Sequence, residues 1–333
     1  SEYCRLVDGN IGRPVMRNGA RKAANVDVLP YINSISSQAE FENLTVIDAN
    51  NDQCTWEFHD KKICARYRYS DKNAGDDWLV TPGIKLVRGK KYSFKVDARQ
   101  YWASYPERFE VKMTKLDGDI NADMLKNGTE IVPPTGFKGA EFKTFEKEIT
   151  ATEDGYFVFG IHAISEAHQF FLLVKNIIVE TVLAETAPAS PILEVTPAPM
   201  GELKAEVKIT APIKNMNGDA LSGNLSKVIV MRDGLQIKEF TDVAPGEDLT
   251  LTDSHGLTNG YHAYFAVPFG VSGEDGHRSE SVRVYIGTDI PKPVEALNVF
   301  DMGADKMMFT WKRVTNGKEG GYINPAEVTY RLR

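Results

Sequence analysis

The sequence predicts an all-β protein made of successive β-sandwich modules, and three observations carry that expectation. Short runs in which apolar and polar residues alternate recur along the chain, as in Lys91–Asp97, KYSFKVD, and Arg108–Met113, RFEVKM. A period of two is what a half-buried strand requires, because successive side chains leave opposite faces of a sheet. Strong helical periodicity is nearly missing. Two proline clusters, in residues 184–199 and 288–293, fall where the strand pattern pauses, and proline both breaks strand ladders and stiffens connections.

Taken in order, residues 1–29 are either the last strand of a preceding module or a leader paired onto the next one. Residues 30–182 hold the densest series of strands, including Gly155–Gly160 and Phe170–Val174, with one helical turn expected at Asp119–Lys126. Residues 183–288 are the size of an immunoglobulin-like sandwich, closing on the strand Val282–Ile286. Residues 289–333 repeat the start of that unit. Val294–Val299 parallels Pro191–Val195, and Lys306–Trp311 parallels Leu203–Ile209. The repeat stops after about three strands, too few to bury a core, so a continuation of the native chain is expected.

Bulk properties exclude some classes of function. The chain has 333 residues, 42% hydrophobic and 26% charged, with a formal net charge of −7. An interspersed acidic balance argues against nucleic acid or an anionic membrane as the main partner. No run approaches the roughly 18 apolar residues of a membrane span. The first ten residues, SEYCRLVDGN, contain no secretory leader, so a secreted or cell-surface protein would have its leader outside this stretch. Three cysteines leave the compartment undecided.

Several stretches together resemble a known module. Pro30-Tyr31, Val46–Asn50 with Trp56, Asp76–Pro82, Lys95–Arg99, Tyr105–Val111, His162–Ser165 and Leu173–Ile177 occur in the order of the cleaved-adhesin, or choice-of-anchor J (MAM-like), jelly roll of secreted Bacteroidetes surface proteins. Residues 186–287 look like a fibronectin type III module. The carriers are the proline-rich first strand, Val230–Gly234 as a turn between strands, and Leu257–Gly260 followed by Tyr264, the candidate tyrosine corner with Tyr261 as alternative. The resemblances imply a jelly-roll β-sandwich, then a fibronectin type III (Ig-like) sandwich and a truncated second one, in which Trp311 would be the core tryptophan. Trp56 and Trp78 are expected in the jelly-roll core.

The residues offer few candidates for chemistry. Asp48-x-Asn50-x-Asp52 has the alternating oxygen pattern of a calcium loop. It is not an EF-hand, since Gln53 and His59 stand where that loop needs Gly and a bidentate Glu. In the resembled family the loop joins acidic groups whose places here are Ser34 and Lys175. Three readings stay open: Asx residues capping a turn, the Lys175 ammonium pairing with Asp48 or Asp52 in place of an ion, or calcium. Cys54 and Cys64, symmetric about His59, either cross-link across a hairpin or remain reduced. None of the histidines has metal-ligand spacing; His162 and His168 are expected in or beside an edge loop. Glu107 and Glu110 read as a solvated face. Tyr101, Trp102 and Tyr105 cluster in a polar segment, where rings either stack on a sugar or pack over the sandwich mouth.

The expected function is therefore non-enzymatic, with no catalytic residue assigned. A jelly-roll module would bind a glycan or a host or matrix protein and be displayed on fibronectin-like spacers. The alternative is an accessory region of a larger secreted protease or glycosidase.

Overall fold

In a computed structural model, residues 24–331 are described, and they divide into two compact units, the chain up to Ala184 together with Asp233–Gln236, and the rest from Glu185 onward. The first unit contains β1 (Tyr31–Asn33), β2 (Thr45–Asp48), β3 (Trp56–His59), β4 (Cys64–Arg68), β5 (Asp77–Val80), β6 (Ile84–Leu86), β7 (Lys91–Gln100), β8 (Arg108–Lys115), β9 (Thr129–Gly136), β10 (Lys143–Thr150), β11 (Gly155–Ala163) and β12 (Phe171–Thr181). They form two antiparallel sheets. One runs β10-β7-β12-β4-β3, with β1 added to β12; the other runs β2-β5-β11-β8-β9, with β6 added to β11. Neighbours such as β12 and β4 come from distant parts of the sequence, so the sandwich depends on long-range pairing.

Alternation explains which side chains meet between the sheets. Phe94 of β7 and Phe159 of β11 are both fully buried and stack with ring centroids 4.9 Å apart. Trp56, Tyr67, Phe109 and Val174 join them in one continuous core. Burying a large aromatic side chain contributes on the order of 2–3 kcal/mol, and the strands are ordered by many such contacts rather than by propensity alone.

A second apolar layer lies on the outer side of the β5–β11 sheet. There Trp78, Val80 and Val158 are covered by Leu125 of α2 (Ala122–Lys126). The helix begins where the Asn121 side chain accepts from Met124 N–H at 3.0 Å. It can dock so closely because residue 160 is glycine: a Cβ there would lie 2.8 Å from both Leu125 Cδ2 and Trp78 Cε3. The expected helical turn is thus present. An earlier one, α1 (Gln38–Glu42), was not expected. Its signal is a variant of the capping box: Ser37 Oγ accepts from Glu40 N–H, and the Glu40 carboxylate reaches one residue before the cap to accept from Ser36 N–H. Residue 26 bridges Ile84, so residues 24–29 join the first unit; the rest of residues 1–29 lies outside the described residues.

The second unit holds β13 (Ile192–Pro197), β14 (Ala205–Thr210), β15 (Leu225–Arg232), β16 (Leu235–Val243), β17 (Asp248–Asp253), β18 (Gly260–Phe269) and β19 (Val282–Ile286). They form a three-stranded sheet, β13-β14-β17, and a four-stranded one, β16-β15-β18-β19. Between β15 and β16 the turn places Asp233 and Gly234 at φ 50° and 79°, the left-handed pair that a two-residue hairpin needs. Tyr264 is fully buried, and its hydroxyl donates to the Asp253 carboxylate at 2.8 Å. Tyr261 donates to Glu319 C=O. The last strands, β20 (Glu295–Asp301) and β21 (Met307–Lys312), pair only with each other among the described residues. Trp311 is consequently not enclosed as a core tryptophan; it is half-buried and leans on Tyr330 at 5.0 Å.

Candidate functional site

The Asp48–Asp52 loop sits where β2 and β5 begin to part. Asp48 and Asp77 are cross-strand partners, so both side chains point to the core side of the sheet at the end of the sandwich. Asp52 curls back beneath them, and ligand oxygens of Asp48, Asp52 and Asp77 all lie within 4.8 Å of one another. The turn itself is capped as Asx residues cap turns. Asp48 accepts from Asp52 N–H and Gln53 N–H at 3.2 and 2.9 Å, Asn50 Oδ1 accepts from Asp52 N–H at 3.0 Å, and Asn50 Nδ2 donates to Ala74 C=O.

Asp77 is the residue that the sequence pattern did not single out. It stands beside Asp76 in Asp76-Asp77-Trp78, and strand alternation sends the two carboxylates to opposite faces. The Asp77 side chain is fully buried, and neither of its oxygens has a hydrogen-bond partner among the described residues. The hydroxyls of Thr55 and Tyr67 are its near polar neighbours, at the limit of hydrogen-bond reach. Burial, reinforced by the charges of Asp48 and Asp52, pushes its carboxyl up to about 8. An unpaired buried carboxylate is costly. It must hold a proton or face a cation, and this donor set of hard oxygens suits calcium.

Lys175 is not that cation. Its ammonium lies 4.4 Å from the centroid of the Phe142 ring, on the outer face of the other sheet. It is placed there because residue 175 alternates with the inward-facing Val174 and pairs with Asp97 across β7.

The cysteine expectation is also corrected. Cys64 is a free, buried thiol and Cys54 is disulfide-bonded, so the two do not cross-link each other. The hairpin turns at residues 60–63 and pairs His59 with Cys64. Its centre lies beyond His59, so equal spacing about that residue does not bring Cys54 opposite Cys64.

The acids and histidines are more deeply placed than the sequence suggested. His162 lies within β11, buried, with its ring stacked 3.8 Å from Trp78. Its Nδ1 is 2.8 Å from Glu110 Oε1 and its Nε2 is 2.8 Å from Asp76 Oδ1. Lys126 of α2 also pairs with Asp76, at 2.8 Å. Burial alone would raise the Asp76 carboxyl, but the bonds from Lys126 and His162 hold it below the usual range. The cluster fastens the helix to the sheet. Glu110 therefore belongs to an ion-pair network and not to a solvated face. Glu107 is buried too: it accepts from the Ser165 hydroxyl, and burial pushes its carboxyl up to about 7. His168 is the loop residue of the pair, exposed and 3.2 Å from Asp71.

Tyr101, Trp102 and Tyr105 come together, and the structure adds Phe170. Trp102 and Tyr105 are 54% and 42% exposed. Tyr101 meets Trp102 edge-on at 5.1 Å and Phe170 at 5.2 Å, and Tyr105 meets Phe170 at 5.8 Å. The loop is held from below by Tyr105 N–H donating to Trp102 C=O and by Glu107 N–H donating to the buried Gln100 side chain. A separate groove of about 1000 Å³ lies in the second unit, floored by Trp311 and Tyr330. Its walls come mainly from residues 288–294 and 322–331, with Leu297 of β20, and Trp311, Tyr322 and Tyr330 bring three rings to it.

No family model matches the chain, and no curated protein matches it. Solved structures similar to it include a cleaved adhesin domain of Lys-gingipain from Porphyromonas gingivalis, 14% identical, covering 46% of this chain and 98% of that one at a TM-score of 0.34. A xylan-binding domain from Paenibacillus barcinonensis is 8% identical and covers 48% of this chain and 99% of that one, at a TM-score of 0.33.

Proposed function

We propose that the first unit is a non-catalytic binding module that engages a glycan through the rings of Tyr101, Trp102, Tyr105 and Phe170. The observation that carries this reading is the contiguity of the four rings around two strongly exposed members. A ring left open to water on a rigid strand end offers an apolar face to a sugar and polar edges to its hydroxyls. Binding would be presentation of a preformed surface by two sheets, with no chemical step.

Calcium belongs to the same reading as a structural ion held by Asp48, Asp52 and Asp77. It would supply the charge that the buried Asp77 lacks, and would tie β2 to β5 at the end of the sandwich. The second unit would act as a fibronectin-type spacer, a reading supported by its three-stranded and four-stranded sheets. The Cys54 disulfide favours an oxidising compartment, hence secretion or surface display.

The test is a glycan array probed with the wild-type chain and with Trp102→Ala. The reading expects hits that fall at least tenfold on mutation, in line with the cost of removing an aromatic anchor. Hits that survive unchanged would move the site to another face.

A further inference from the structure

The outer face of the β10-β7-β12-β4-β3 sheet carries an arrangement that the aromatic loop does not account for. Ala65 and Tyr67 of β4, and Leu172 and Val174 of β12, fill the core. Alternation therefore turns Arg66, Arg68, Leu173 and Lys175 outward. On β7, Val96 and Ala98 point inward, and Asp97 and Arg99 outward. Leu173 is the cross-strand partner of both Arg66 and Arg99, so the two guanidinium groups flank it.

Rings and cations alternate across this face. Lys62 Nζ lies 5.5 Å from the Tyr101 ring centroid, and the Arg99 guanidinium lies 5.9 Å from Tyr101 and 5.1 Å from Phe142. Lys175 Nζ lies 4.4 Å from the Phe142 ring centroid. Arg66 stacks on Phe171 at 4.6 Å. Beneath them lies the buried Cys64 thiol, pushed up to about 11 by burial against the pull of Arg99, Lys175, Arg66 and Lys62. All four positive charges act on this one thiol.

Farther along this face Lys95 pairs with Glu146 and Glu180, but around these four cations the acids are already engaged. Glu57 pairs with Arg66 and Arg68. Asp97 accepts from Asn176 and Thr144. Lys62, Arg99 and Lys175 have no carboxylate partner among the described residues, and the buried Arg99 Nε has no hydrogen-bond partner there. A local surplus of positive charge in a chain of net charge −7 is a focused patch, not a general property of the molecule.

We propose that this face recognises the acidic groups of a polysaccharide, carboxylates of uronate residues or sulfate esters, while the adjoining rings stack on its sugars. The inference rests on the glycan reading above and specifies the ligand's chemistry. Tyr101 is the joint between the two features, since its ring touches Trp102 and Phe170 on one side and lies under Lys62 and Arg99 on the other. Guanidinium groups pair well with planar or tetrahedral anions, and ring contacts hold Arg99 in place before a ligand arrives. A phosphodiester polymer shares the anionic chemistry, so an oligonucleotide is one arm of the test.

The test is calorimetric titration with heparin, polygalacturonate, neutral xylan oligosaccharides and a short thymidine oligonucleotide. The wild type is compared with Trp102→Ala and with the double variant Lys62→Ser, Lys175→Gln, whose melting temperature is checked against the wild type. The proposal expects one acidic polysaccharide to bind roughly tenfold or more tighter than xylan near physiological salt, weakening as salt rises. It expects the lysine variant to bring the acidic-to-neutral ratio toward one. Heparin or polygalacturonate as the better ligand distinguishes sulfate from carboxylate. Equal affinity for acidic and neutral glycans overturns this inference and leaves the glycan reading standing. A preference unmoved by the lysine variant, or tighter binding of the oligonucleotide, also overturns it. An acidic preference that needs the lysines but ignores Trp102→Ala removes the ring platform alone, and no binding to any glycan removes both.

Discussion

At the scale of single residues, Asp77 sets the most distinctive behaviour. Its carboxyl is raised from 3.8 to about 8, and that of Glu107 from 4.5 to about 7. Both are raised, so the folded state holds these protons more tightly than the unfolded chain does. The stability they contribute is complete below about pH 4 and is lost as pH rises through 7 and 8. In chelator, the melting temperature of the first unit should fall from about pH 5 to about pH 9, and Asp77→Asn should flatten that fall. Calcium should oppose the loss, because the ion replaces the proton, and the variant should lose the calcium response. A profile that is flat in the wild type would contradict this account. Cys64 gives a second expectation. The buried thiol should resist maleimide in the folded protein and react on unfolding, with Cys54 protected until reductant is added; peptide mass mapping distinguishes the two.

At the scale of elements, close packing decides what can change. Gly160→Ala should destabilise the first unit by about 1–3 kcal/mol, because its Cβ would strike the helix and Trp78. Phe94→Ala should cost about 3–5 kcal/mol through the cavity it leaves between the sheets. Trp102→Ala, on an exposed loop, should stay within about 0.5 kcal/mol. Denaturant melts of the three variants check the order. The strands were legible because alternation leaves a plain trace: Lys91–Asp97 and Arg108–Met113 both lie inside observed strands. The register of β3 on β4 was not, because it depends on the length of the turn at residues 60–63 and not on the spacing of the cysteines. The short helix at Gln38–Glu42 was hidden for a similar reason. Its signal is two side chains, Ser37 and Glu40, and no apolar period.

At the scale of the whole molecule, the division into two compact units predicts two heat-absorption transitions, of which calcium should shift one. A single transition that moves as a whole would show the two units to unfold together. The sandwich class was readable from composition and alternation, since both report burial strand by strand. The candidate site was readable only where its residues are neighbours in sequence. Tyr101, Trp102 and Tyr105 share a loop, but Phe170 reaches them from β12's approach, and Asp77 reaches Asp48 through strand pairing. Lys62, Arg66, Arg99 and Lys175 come from three separate stretches, so only the folded sheet makes them one surface. The four tryptophans of the chain each occupy a different setting: Trp56 in the inner core, Trp78 face to face with an imidazole, Trp102 in the open, and Trp311 beside Tyr330. Their intrinsic emission should therefore be spectrally unequal, with the red-shifted share from Trp102 and a quenched share from Trp78. Loosening of the clamp around His162 would then brighten the protein before its core melts, an optical signal that needs no added label.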